Sequence, residues 1–153
     1  MAPSSVSKSF KVSVAKPVRA KKRDTKVLDI SILVPVMNEA GNIRPLIDEI
    51  CATFAGRQFE IIYVDDASDD ATAEELLAIL GDVPQLRVLR HTKRAGQSAA
   101  IRSGLLQANG TLIGVLDGDG QNVPTDFPAL EAAVTDASKD GAVSYTHLTL
   151  PTK

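Results

Sequence analysis

With a single cysteine, Cys51, this chain of 153 residues cannot close a disulfide within itself and offers no thiolate cluster for a metal. That suits a reducing compartment, and Cys51 reads as a small buried apolar residue rather than a reactive thiol. Tryptophan is absent and aromatic residues make up only 4% of the chain. Most of the basic excess lies in one terminal segment. Recognition of nucleic acid therefore has little support, and no nucleic-acid partner is expected. No run approaches the ~18 apolar residues that a bilayer-spanning helix requires, which argues against an integral membrane protein. Neither G-x-x-x-x-G-K-[ST] nor G-x-G-x-x-G occurs, so P-loop and dinucleotide-binding readings lack their mechanical parts.

What is present fits one domain with a real core: 44% hydrophobic and 24% charged residues. The net charge of −2 conceals an asymmetry, because residues 1–26 carry eight Lys/Arg against one acid, Asp24, leaving nine basic and eighteen acidic residues in the remainder. Residues 1–28 are expected to form a basic disordered tail. They lack the apolar stretch of a secretory signal, and two readings stand: a solvated extension or a Ser/Arg-rich transit leader. Such a tail is drawn to anionic lipid at about 1 kcal/mol per charge near the surface, which allows peripheral membrane contact. The expected location is cytoplasmic, with the cytoplasmic face of a membrane as its variant.

From residue 29 the pattern becomes regular. "DISILVPV" is an apolar, β-branched run consistent with a buried strand. In the following "NEAGNIRPLIDEICATFAG", Ile43, Leu46, Ile47, Ile50 and Phe54 recur at helical spacing. "FEIIYVDD", "LRVLRH" and "TLIGVLD" read as further strands, and "ASDDATAEELLAILG" and "AGQSAAIRSGLLQANG" as helices. Strand alternating with helix predicts an α/β fold with a mostly parallel sheet and helices on both faces. Ligands of such sheets bind beyond the carboxyl ends of the strands. The chain places "PVMNE", "DDASDD", "HTKRAGQ" and "DGDGQ" there, one cluster after each strand.

The last of these raises a specific question. Asp117 and Asp119 end an apolar run one residue apart and repel each other unless a cation or a donor array compensates them. Hard oxygen ligands of this kind suit Mg2+ or Mn2+. Mg2+ is held by one or two carboxylates together with substrate phosphates, so the expected ligand is a nucleoside diphosphate. Gln121 could add a neutral oxygen, while Gly118 and Gly120 remove bulk that would keep a phosphate from the backbone. The structural alternative is a polar turn leading to Pro124.

The ensemble "VPVMNE", "YVDDASDDAT" and "DGDGQ", in this order and spacing, resembles the nucleotide-sugar-binding half of an inverting family 2 glycosyltransferase, in its dolichol-phosphate mannosyltransferase-like or polyprenyl-phosphate branch. The resemblance covers about residues 29–135. It implies a GT-A, Rossmann-like fold, a divalent metal, a UDP- or GDP-sugar donor and a polyprenyl phosphate or glycan acceptor. Carried over residue by residue, it implies that Pro35 and Glu39 border the nucleoside and that Asp66 hydrogen-bonds the base. Asp117 and Asp119 would meet ribose and the metal, and Gln121 would join the metal shell. Lys93 and Arg94 match more loosely as groups offsetting diphosphate charge. The branch often has two prolines and an acid after the glutamine, where this chain has Asn122, Val123, Pro124 and Thr125. No catalytic base is assigned.

The segment "VSYTHLTLPT", residues 143–152, fits one reading frame of a transposon end and adapter used in sequencing libraries. The expected organisation is therefore a tail over 1–28, an incomplete nucleotide-sugar-binding part over 29–142 and a non-native tail over 143–153, with little or no transfer by the chain alone. Tyr145 and His147 carry no functional weight on this reading. Three other classes are alternatives: a non-catalytic nucleotide-sugar-binding module, a haloacid dehalogenase-type phosphatase and a response-regulator receiver. The phosphatase motif normally opens its domain and has Thr at the place of Gln121. The receiver's acidic pair usually follows the first strand, whereas Asp65 and Asp66 follow the second.

Overall fold

A computed structural model describes residues 28–121 and 123–132. The expected basic extension, except for Leu28, and the expected non-native tail lie outside the described residues. Four strands, β1 (Leu28–Val36), β2 (Phe59–Asp65), β3 (Leu86–Arg90) and β4 (Gly110–Val115), alternate with the helices α1 (Ile43–Thr53), α2 (Thr72–Ile79) and α3 (Gln97–Leu105). They form one sheet in the order β3-β2-β1-β4, and every pairing is parallel.

The central position of β1 explains its composition. It is covered on both faces, so its residues Ile30–Val36 form a continuous buried run instead of alternating with polar residues. Ile30, Ile32, Val34 and Val36 face α1 and α2, where Ile43, Leu46, Ile47, Ile50, Leu76 and Ile79 pack against them. Leu33, with Ile62 and Val64 of β2, faces Ala100 of α3. Gly104 allows α3 to lie close to the sheet, since a Cβ there would press on Leu33 and Val64. After β4 the chain folds back over α1 through a short 3-10 turn, Pro124–Asp126. Phe127 packs edge-on against Phe54 and occupies the space that a side chain at Gly114 would need.

At the amino-terminal edge of the sheet, one buried carboxylate joins all four strands. Glu60 Oε1 accepts Ser31 Oγ–H at 2.7 Å and the Asn109 N–H at 2.7 Å, and its Oε2 pairs with Arg87 at 2.7 Å. Ser31 Oγ in turn accepts the Gly110 N–H at 2.8 Å. Desolvation by burial would raise the Glu60 carboxyl, but bonds from Arg87, Ser31 and Asn109 hold it below the usual glutamate range.

Glu60→Gln leaves the Arg87 guanidinium facing a neutral amide and should lower stability by about 2 kcal/mol near neutral pH. Urea unfolding followed by circular dichroism measures this. The folded carboxyl titrates below its unfolded value. The wild-type advantage is therefore complete above the unfolded pKa of about 4.3 and shrinks as pH falls through the folded value.

Candidate functional site

All four strands point their carboxyl ends at one edge, and the loops leaving them enclose an open cleft of about 510 Å3. Pro35 and Glu39 come from the end of β1, Asp66 from β2, Arg94 and Gln97 from the β3–α3 connection, and Asp117 and Asp119 from β4. Six of the eight residues singled out in the sequence thus line one cavity. Lys93 turns instead into a neighbouring depression, and Gln121 lines neither.

The first two loops are tied together by side chains that cap free backbone donors. Asn38 N–H donates to Ser68 Oγ at 3.0 Å, Glu39 N–H to Thr72 Oγ1 at 2.9 Å, Ala40 N–H to Asp70 Oδ2 at 3.1 Å and Gly41 N–H to Glu75 at 2.9 Å. Asp69 N–H returns a bond to Asn38 Oδ1 at 3.0 Å. Two non-glycine residues, Asn38 and Ala67, hold positive φ of 58° and 59° here. Asn tolerates that region, whereas Ala adopts it only where surrounding contacts enforce it. The polar "DDASDD" run is therefore a brace for the loop after β1, which is why α2 begins at Thr72 rather than at the start of that run.

Asp66 braces the third loop. Its Oδ1 accepts the Ala95 N–H at 2.8 Å and His91 Nδ1–H at 2.7 Å, and its Oδ2 accepts the Gly96 N–H at 2.7 Å. With Nδ1 carrying the proton, His91 Nε2 accepts Ser103 Oγ–H at 2.8 Å. Burial would raise the Asp66 carboxyl, but the His91 bond and the two backbone donors outweigh it and hold the group below the ordinary aspartate range. Next to it, Asp65 is buried. Its Oδ1 accepts the Ser68 N–H, and Arg90 Nε approaches its Oδ2 at 3.1 Å as an ion pair without hydrogen-bond alignment.

The "DGDGQ" stretch is a tight turn. Gln121 N–H donates to Asp119 Oδ1 at 3.0 Å, and Gln97 Nε2–H donates to Asp117 Oδ1 at 3.0 Å. Gly120 has φ +74°, and a Cβ on Gly118 would collide with Val36 Cγ1. Gly118 thus serves the fit of this turn against β1. Among the described residues no three carboxylate, imidazole or thiolate side chains gather to hold a metal by themselves. Asp117 and Asp119 supply two carboxylates, the number with which Mg2+ is held when substrate phosphates complete its shell. The donor set fits such an ion.

Sequence reasoning put His91 and Gln97 in the "HTKRAGQ" cluster at this edge without assigning either a role, and missed Ser103; their partners lie 25, 20 and 12 residues away. Only the position of His91 directly after a strand could have signalled it. Asp66→Asn sets an amide N–H2 against donors that now face a carboxylate, and is expected to loosen the loop by about 2 kcal/mol, read as roughly thirtyfold faster exchange of the Ala95 and Gly96 amides.

The glycosyl transferase family 2 profile matches residues 31–147. The chain is 33% identical over 121 residues to the dodecaprenyl-phosphate galacturonate synthase of Rhizobium johnstonii, covering 77% of this chain and 36% of that protein. It is also 33% identical over 111 residues to the dolichol-phosphate mannosyltransferase of Pyrococcus furiosus, covering 72% and 31%. Among solved structures, the mannosyltransferase PcManGT from Pyrobaculum calidifontis in complex with GDP-Man and Mn2+ superposes with a TM-score of 0.59 at 27% identity, covering 69% of this chain and 31% of that one. S. aureus TarS (residues 1–349, with UDP-GlcNAc) gives 0.60 at 24% identity, covering 72% and 32%, a likeness of fold alone. The chain spans about a third of the length of the curated relatives it matches. Its parallel sheet with helices on both faces is that of the GT-A fold. With the match running over most of its length, the chain belongs to glycosyl transferase family 2.

Proposed function

We propose that this chain supplies the donor-binding part of an inverting glycosyltransferase that moves a sugar from a UDP- or GDP-sugar to a polyprenyl phosphate. The observation that carries this reading is the charge of the cleft. Four carboxylates, Glu39, Asp66, Asp117 and Asp119, line it against one guanidinium, Arg94. A nucleoside diphosphate entering such a cavity is repelled unless a divalent cation comes with it. Asp117 and Asp119 would hold Mn2+ or Mg2+, which would supply the positive charge that offsets this repulsion, with the Gln121 side-chain oxygen as a further neutral ligand. When bound, the ion stabilises negative charge on the departing nucleoside diphosphate. The GDP-Man and Mn2+ complex of the mannosyltransferase from Pyrobaculum calidifontis supports the same donor chemistry.

The remaining assignments follow from the lining. Pro35 and Glu39 form the wall nearest the braced first loop and border the nucleoside. Among the described residues Asp66 Oδ2 accepts only the Gly96 N–H, which leaves a lone pair for an imino N–H of the base. Arg94 lies on the diphosphate side of this arrangement, with Lys93 contributing only by long-range attraction. A polyprenyl phosphate acceptor is supported by the names of the relatives, two of which act with dodecaprenyl or dolichol phosphate. Its phosphate oxygen is already anionic near neutral pH, so the acceptor needs no general base from the protein. A lipid acceptor also places the reaction at a membrane face, here the cytoplasmic one. Among the described residues no helix is long and apolar enough to cross a membrane.

Calorimetric titration with UDP and GDP, with and without Mn2+, tests the donor site. One nucleotide should bind only in the presence of metal, and Asp117→Asn/Asp119→Asn should weaken that binding by tenfold or more, about 1.4 kcal/mol. Equal affinity without metal, or an unaltered affinity in the folded double variant, would overturn the reading.

A further inference from the structure

The depression beside the cleft has the opposite electrostatic character. It is a trough of about 570 Å3 between the end of β3 and the outer side of α3, closed off from the donor cleft by the Asp66-braced loop. No carboxylate lines it. Its charged residues are Arg90, Lys93 and Arg102. Arg90 is spent on the buried Asp65 and on the Ser68 carbonyl at 3.1 Å. Lys93 and Arg102 have no ion-pair partner among the described residues and are both exposed.

Three further features give the trough the form of a site. Ala95 and Ala99 keep its α3 side open, where longer side chains would fill it. The bond between Ser103 and His91, both in the lining, ties α3 to the end of β3 and so holds the two sides of the trough together. Leu106, 75% exposed, stands at the end of the trough, an apolar surface next to a basic one. Two cations and the Thr92 hydroxyl in one lining suit a tetrahedral oxyanion, because charge-assisted bonds to phosphate are stronger than neutral ones.

We propose that this trough is a second phosphate-binding site, separate from the donor cleft, with Lys93 and Arg102 as its charged ligands and the Thr92 hydroxyl as a further donor. The Leu106 rim suits a phosphate carried on an apolar chain, and a free phosphate shares the same charged ligands.

The test uses the full chain labelled with 15N. Inorganic phosphate, added at constant ionic strength, should shift the amides of Thr92, Lys93, Arg102 and Ser103 saturably. Lys93→Gln/Arg102→Gln, two exposed positions, should lower the affinity about tenfold. A parallel arm measures cosedimentation with vesicles of phosphatidylcholine alone or with phosphatidic acid. The basic residues 1–26 attract anionic vesicles by themselves, so this arm is read as the difference between wild type and double variant. Saturable shifts with a vesicle difference assign the site to a lipid headgroup, and shifts without one assign it to a soluble phosphate. Shifts confined to the cleft residues, no saturable shift, or a vesicle difference without any phosphate shift would each overturn the site. The donor assignment stands apart from all of these results.

Discussion

Parallel pairing of β1 with both β2 and β4 is the constraint on which the site depends. The register sets Val36 opposite Asp65 and Leu33 opposite Val115, so the chain leaves β2 and β4 on either side of the end of β1. Gly118 then packs directly on Val36, and the Asp66 N–H donates to the Val36 carbonyl at 2.9 Å. Carboxylates 51 residues apart in sequence, Asp66 and Asp117, consequently line the same cavity. A slip of one residue in either pairing would exchange the two faces of β1, carrying Leu33 to the α1 side, and would shift the two carboxylates relative to each other. The Glu60 network, which locks the far edge of all four strands, opposes that slip. The hydrophobic core and the acidic cleft are two consequences of one alignment.

The loops at that edge divide charge into two zones. Asp66 faces the donor cleft yet spends its bonds on the loop that walls it off, and His91 carries the same chain of hydrogen bonds to Ser103 on the other side. Adjacent residues on this loop therefore diverge: Arg94 lines the acidic cleft and Lys93 the basic trough. An acidic cavity selects an anion only with its metal, while a basic one accepts an anion directly. The braced loop between them keeps the cations of the trough apart from the carboxylates of the cleft.

Much of the fold was legible because buried parallel strands leave continuous β-branched runs and amphipathic helices leave a 3.6-residue period. Ile43, Leu46, Ile47 and Ile50 are the buried face of α1, as their spacing indicates. Boundaries were less legible where polar side chains serve another loop. Asp70 accepts the N–H groups of Ala40 and Thr72, so the helix-like "SDDA" stretch stays outside α2. The acidic members of the cleft stood out as charges ending apolar runs. His91, Gln97 and Ser103 did not, since each acquires its meaning only from a partner brought near by the sheet. Gly118 read as room for a ligand, and in three dimensions it is room for Val36.

The central claim is that Asp117 and Asp119 hold a divalent cation together with a nucleoside diphosphate. Paramagnetic broadening by Mn2+ reports its location directly. With UDP or GDP present, substoichiometric Mn2+ should broaden the amides of residues 116–121 first, with those at the carboxyl end of α3 remaining sharp, and the effect should require the nucleotide. Broadening centred elsewhere, or persisting unchanged in Asp117→Asn/Asp119→Asn, would contradict the account.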